Sequence, residues 1–216
     1  MSDSARYPGS QYVSSTTADE IITQARYLVN EPTASFWNGT EMLQWVNDGI
    51  LDIVSKTWCL GQTEAITLVA DTLEYTLASD YITIITAHLT LAGVTKALLK
   101  GHPAMVGHVQ NPSEIVYWYE WDGKIGLYPT MSDVTGYTCS CYQMAVPSVL
   151  TITDNSPLPA WFDDPLTTYV VAMALFKDNE MGTYQTAMAK YEQEIGKYVN
   201  DLLIKPADQI NTPKGK

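Results

Sequence analysis

The chain has 216 residues, 46% of them hydrophobic and 17% charged, and a formal net charge of -12, which suits one sizeable domain or two small ones and excludes a disordered chain. The acidity argues against tight binding to phosphate backbones, because Lys and Arg drive that binding by displacing counterions, and against attachment to anionic membranes. Cys59, Cys139 and Cys141 make no disulfide framework, and the first residues contain no apolar leader segment, so a reducing cytoplasm is the expected site of synthesis.

Residues 1–15 are polar, contain Pro8-Gly9 and read as an extended arm. Thr17-Ala18-Asp19-Glu20 is a capping box, in which the Thr17 hydroxyl accepts from the Glu20 N–H and the Glu20 carboxylate reaches back. It predicts a helix to about Asn30, with Ile21, Ile22, Ala25, Leu28 and Val29 facing inward and Glu31-Pro32 ending it. A short linker leads to a second amphipathic helix over Thr40 to Trp58. Thr40 is its expected cap, and Glu41 sits well against the dipole. Leu43, Val46, Ile50, Ile53/Val54 and Thr57 form the apolar stripe, while Gln44, Asn47, Asp48, Asp52, Ser55 and Lys56 fill most of the other face. Two helices so closely joined read as an antiparallel pair.

From Gly61 the period changes to two. Ala65 to Val69 and Leu73 to Leu77 read as a hairpin through Ala70-Asp71-Thr72. Tyr81 to Val94 suits a strand, with a break near His88, and Lys96 to Leu99 suits a helical turn stopped by Gly101 and Pro103. Ile115 to Trp121, the type I′ pair Asp122-Gly123 and Lys124 to Tyr128 form the clearest hairpin. Thr135 to Met144 completes an insert of five or six strands, enough for a small sandwich or barrel.

After Pro157 and Pro159, Asp164 is the expected cap of a third helix with Pro165 at its first position. Leu166, Tyr169, Val170, Met173, Ala174 and Phe176/Lys177 follow, ending near Asp178-Asn179. The last helix spans about Gly182 to Ile204, with Tyr184, Met188, Tyr191, Ile195, Tyr198 and Leu202 in a heptad-like seam that Pro206 stops. The tail, 205–216, holds few large apolar residues and is expected to be flexible. The reading is an α+β protein: a helical bundle formed by the N-terminal and C-terminal helix pairs (16–60 and 156–204), a β-rich, sandwich- or barrel-like insertion (61–155), an arm and a tail.

Signatures of chemistry are sparse. No Gly-rich phosphate loop, G-x-S-x-G or H-E-x-x-H is present. His88, His102 and His108 with Cys139 and Cys141 could surround zinc in principle, but C-x-C is a poor substitute for a zinc knuckle, and no metal or cofactor is expected. Asp163-Asp164 beside Trp161, and Glu120 between Tyr119 and Trp121, invite a hydrolase reading. Sequence neighbours rarely span a cleft as two glycosidase carboxylates must, so catalysis is not expected. In Val116 to Trp121, Tyr117, Tyr119 and Trp121 would line one face of a strand and Trp118 the other. Such a row serves a core, a subunit interface or, with Tyr128, a carbohydrate-binding or cell-surface recognition platform.

The segments TTADEIITQARYLVNE, FWNGTEMLQWVNDGILDIVSKTW and LPAWFDDPLTTYVVAMALFKDNEMGTYQTAMAKYEQEI resemble the opening and closing helix pairs of head-to-tail adaptor (connector) proteins of tailed bacteriophages, of the short-tailed type with a β-rich insertion. The resemblance implies a structural neck protein without catalysis. It implies a homo-oligomeric ring, commonly twelve-fold, that binds the portal protein, meets tail or nozzle proteins and lets DNA pass without specific binding. On that resemblance Ile204, Lys205, Pro206, Ile210, Pro213, Lys214 and Lys216 belong to the portal-binding segment. Trp45, Tyr117, Tyr119, Trp121, Asp122 and Gly123 are then candidates for contacts with other subunits or the tail, and Gln44 and Asp48 stand beside Trp45. An acidic lumen would repel DNA phosphates.

Overall fold

The computed structural model describes residues 13–31, 33, 36–107 and 114–199. Among these residues four α-helices and two four-stranded sheets make a mixed α+β fold. The chain divides into two compact units, residues 1–60 with 147–216 and residues 61–146.

The first unit contains α1 (Ala18–Leu28), α2 (Gly39–Thr57), α3 (Asp163–Lys177) and α4 (Met181–Val199). α1 starts on the expected capping box: the Glu20 N–H donates to the Thr17 hydroxyl and the Thr17 N–H to the Glu20 carboxylate. Its end is a different device. Asn30 adopts a left-handed φ of 59°, the Asn30 N–H donates to the Tyr27 carbonyl and the Glu31 N–H to the Arg26 carbonyl. This Schellman closure stops the helix before Pro32 is reached. Leu28, expected inward, is 68% exposed, and Arg26 takes a buried place instead. The Arg26 guanidinium donates to the Trp37 carbonyl at 2.7 Å and meets the Glu31 carboxylate at 3.3 Å, while Glu31 accepts from the N–H groups of Phe36 and Trp37. A buried ion pair therefore ties the end of α1 to the approach of α2.

Asn38, not Thr40, caps α2, accepting from the Glu41 N–H at 2.8 Å. Met42, Val46, Gly49, Ile50, Ile53, Val54 and Thr57 are inside, while Leu43, expected on the apolar stripe, is only half-buried. α3 opens without a side-chain cap, because a 3-10 turn over Ala160–Phe162 leads straight into it. Asp164 is exposed, and Asp163 instead accepts from the hydroxyls of Ser14 and Thr16 at 2.7 and 2.8 Å, fastening the segment before α1 to the start of α3. α3 ends as α1 does: Asn179 is left-handed at 63°, and the Asn179 and Glu180 N–H groups donate to the carbonyls of Phe176 and Leu175. α3 touches the other three helices, and α2 touches α1 and α4 as well.

The second unit carries one sheet ordered β1 (Gly61–Ile66), β8 (Tyr137–Ala145), β3 (Tyr81–Leu91), β4 (Val94–Ala97). The other is ordered β2 (Glu74–Thr76), β7 (Lys124–Tyr128), β6 (Tyr117–Trp121), β5 (Leu99–Lys100). Three sequence expectations are corrected here. β1 and β2 do not form a hairpin: a turn at Asp71 exists, but the strands leave it for different sheets, β1 to β8 and β2 to β7. β3 runs unbroken through His88, with register shifts earlier, at Tyr81/Thr83 and Ile84/Thr86. Lys96 to Leu99 is not helical. The chain there passes from β4 to β5, and so from one sheet to the other, around the buried Leu98, whose N–H donates to the Ala87 carbonyl.

The Asp122-Gly123 hairpin forms as expected, with φ of 51° and 68°. A second turn with both φ positive, Ala92-Gly93, joins β3 to β4. The two turns lie at opposite ends of the unit. Gly61 pairs with Met144 and Tyr81 with Ala145 at one end, and Leu91 pairs with Tyr137 at the other. Glu120, just before the Asp122 turn, accepts from the Thr83 hydroxyl and the Ile84 N–H near the first end. The core between holds Ile84, Leu89, Trp118, Ile125 and Leu127, together with Cys139 and Cys141 side by side on β8.

Candidate interaction surfaces

The aromatic row on β6 is divided by the structure. Trp118 is 2% exposed and belongs to the core. Tyr119 is buried as well, and its hydroxyl donates to Glu74 at 2.9 Å. It reaches β2 by lying across Gly126, its cross-strand partner on β7; a Cβ at that position would fall 2.0 Å from the Tyr119 ring. Tyr117 is half-buried and stacks on the buried Tyr128, with ring centroids 5.2 Å apart. Trp121 is 65% exposed beside the exposed Asp122 and Gly123. The open aromatic surface of this strand is thus the hairpin end, and no continuous platform of Tyr117, Trp118, Tyr119, Trp121 and Tyr128 exists.

The buried phenol gives the unit a pH dependence. Burial, with Glu74 as acceptor, pushes the Tyr119 pKa up to about 12, and burial beside Glu120 does the same for Tyr81. An unfolded tyrosine ionises near pH ~10. Between those values the unfolded chain releases protons that the folded chain retains, so stability present below pH ~10 falls as the pH rises toward 12. Urea midpoints across this interval should fall, and Tyr119→Phe should flatten part of the fall. A slope unchanged by that substitution would remove Tyr119 from the account.

In the helical unit, Trp45 is half-buried, and Gln44 donates to Asp48 at 2.8 Å on the exposed side of α2. Leu51, Ser55 and Trp58 continue this exposed line. A shallow groove of about 480 Å³ lies elsewhere on the unit, lined by Tyr27 and Leu28 of α1, Asp164 and Thr168 of α3, and Lys190 and Glu194 of α4. Ile204, Lys205, Pro206, Ile210, Pro213, Lys214 and Lys216 lie outside the described residues.

A protein-family profile described as SU10 adaptor protein matches residues 16–213. The chain belongs to the SU10 adaptor protein family. The match runs through both units. As a phage head-tail adaptor of the kind found in short-tailed phages, the protein is a structural component of the virion that joins head and tail parts. No curated protein sequence matches the chain. Among the described residues, no helix is long and apolar enough to cross a membrane.

The side chains that suggested chemistry have structural partners in this adaptor. His88 packs on Tyr142 with centroids 4.8 Å apart, and the His102 Nδ1 accepts from the Ala104 N–H at 3.1 Å. His108 lies outside the described residues. No group of three or more His, Cys, Asp or Glu among the described residues could hold a metal ion. Asp163 and Glu120 accept the hydrogen bonds given above, within separate units. The groove residues Tyr27 and Leu28 escaped the sequence reading because Leu28 continues the helical period of α1. The left-handed Asn30 immediately after Val29 was the available sign that the helix ends there.

Proposed function

We propose that this adaptor forms a twelve-fold ring in the phage neck, seated on the portal, joining it to the tail and continuing the DNA channel. The observation that carries this reading is the family match, which extends over the helices and the β insertion together. The mutual contacts of the four helices support a bundle built from the N-terminal and C-terminal helix pairs as the body of each subunit. Residues 204–216, in which Lys205, Lys214 and Lys216 outnumber Asp208, are the portal-binding segment. Trp121, Asp122 and Gly123, at an exposed hairpin end, meet tail or nozzle proteins or a neighbouring subunit, and Trp45 contributes to subunit contacts. Tyr117 flanks that hairpin, while Tyr119 supports it from within. DNA passes without specific binding, because a chain of net charge -12 offers phosphates few cations.

The test is deletion of residues 205–216. The truncated chain should keep its helical circular dichroism and lose co-purification with the portal of its own phage. Portal capture equal to that of the full chain would remove the assignment of this segment.

A further inference from the structure

α2 carries two stripes about half a turn apart. Val46, Gly49, Ile50 and Ile53 face inward, and Gln44, Asp48, Leu51 and Ser55, recurring at steps of four and three, face outward. α3 is two-sided in the same sense. Its Leu166 and Tyr169 approach Gly49 of α2 so closely that a Cβ there would lie 2.7 and 2.8 Å from them. Asp164, Thr167 and Thr168, about half a turn round α3, line the groove together with α1 and α4, to which α2 contributes nothing. The outer ridge of α2 and the groove are therefore on opposite sides of the helical unit.

We infer that the α2 ridge of one copy seats in the α1/α3/α4 groove of the next, so that a second copy of this chain is the occupant. Head-to-tail association needs two different, complementary patches, and a rotation between copies closes such contacts into a ring. Two complementary pairs share one spacing. Asp48, whose partner is the neutral Gln44 amide, meets the Lys190 ammonium of the groove wall, which is 63% exposed and held only at 3.8 Å by Glu194. One turn away on each helix, the second N–H of Gln44 meets Oε1 of Glu194, a side chain that is 23% exposed and whose other oxygen is buried. Leu51, 48% exposed, covers Tyr27 and Leu28, each 68% exposed. Burying apolar surface at the centre, with the charged pair at its edge, is how stable interfaces are built.

This inference rests on the ring reading above, and the experiment separates the two. Phage particles are assembled with variant full-length chains in a Cys59→Ser background, treated with a short bis-maleimide, and imaged by cryo-electron microscopy. Leu28→Cys combined with Leu51→Cys should give a covalent ladder of protomers, and neither single cysteine should give even a cross-linked dimer. Asp48→Lys should lower ring incorporation about tenfold or more, and adding Lys190→Asp should restore it, which a merely misfolded variant would not do. A ring that forms without the ladder and is indifferent to Asp48→Lys overturns the inference and leaves the ring reading standing. A cross-linked dimer from Leu51→Cys alone overturns it in favour of a symmetric contact. Particles of the unsubstituted chain with no ring at the neck overturn both.

Discussion

Arg26→Ala should lower the stability of the helical unit by about 3–5 kcal/mol, the usual cost of breaking a buried ion pair from one side. Arg26 is 7% exposed, and its removal takes the guanidinium away from the buried Glu31 and the donor away from the Trp37 carbonyl. Glu31 cannot simply turn to water, because it also holds the N–H groups of Phe36 and Trp37 ahead of α2. Arg26→Lys keeps the charge but lacks the planar fork that serves two acceptors, so it should fall between wild type and alanine. Chemical denaturation followed by far-ultraviolet circular dichroism gives the measurement. A loss below about 1 kcal/mol for the alanine variant, the range of an exposed pair, would show that the site is not closed to water.

Trp118→Ala should cost about 3–5 kcal/mol and act on the β insertion, because it empties the centre of that core. The ring lies among Ile84, Leu89, Ile125 and Leu127, with the Lys100 ammonium 5.1 Å from its centroid. Trp121, on the same strand, is the control. Its ring is mostly in water, and Trp121→Ala should change stability by no more than about 0.5 kcal/mol. Hydrogen exchange resolved by peptide should show protection lost across 61–146 in the first variant and kept in the second. Equal effects of the two substitutions would mean that the strand is packed otherwise.

What was legible in the sequence is what local chemistry decides. The Thr17 box and the Asp122-Gly123 turn formed as expected, since a capping hydroxyl and a left-handed dipeptide act within a few residues. The misreadings share a cause as well. A turn at Asp71 says that the chain reverses, not which sheet receives the next strand, so the expected pairing of β1 with β2 does not form. Lys96, Ala97, Leu98 and Leu99 have good helical propensity, but a single buried residue, Leu98, at the passage between sheets outweighs it. Leu28 fits the period of α1 and is nevertheless exposed, because the left-handed asparagine ends the helix beside it. Alternation along β6 placed Tyr119 with Trp121. It did not foresee that the empty side of Gly126 would let that ring lie down across the sheet.

The two cysteines of β8 turn this architecture into a clock. Cys139 and Cys141 are fully buried, so a thiol reagent reaches neither while the insertion is closed, although the hydrogen bond between them pushes the Cys141 thiol up and the Cys139 thiol down. Cys59 lies in the other unit, half-buried, and burial raises its thiol as well. Alkylation of Cys139 and Cys141, read by peptide mass, therefore times the opening of the β insertion in the unmodified protein, while Cys59 reports local access in the helical unit. On an assembled particle the same reagent reports whether incorporation slows the opening of the insertion, covers Cys59, or does both.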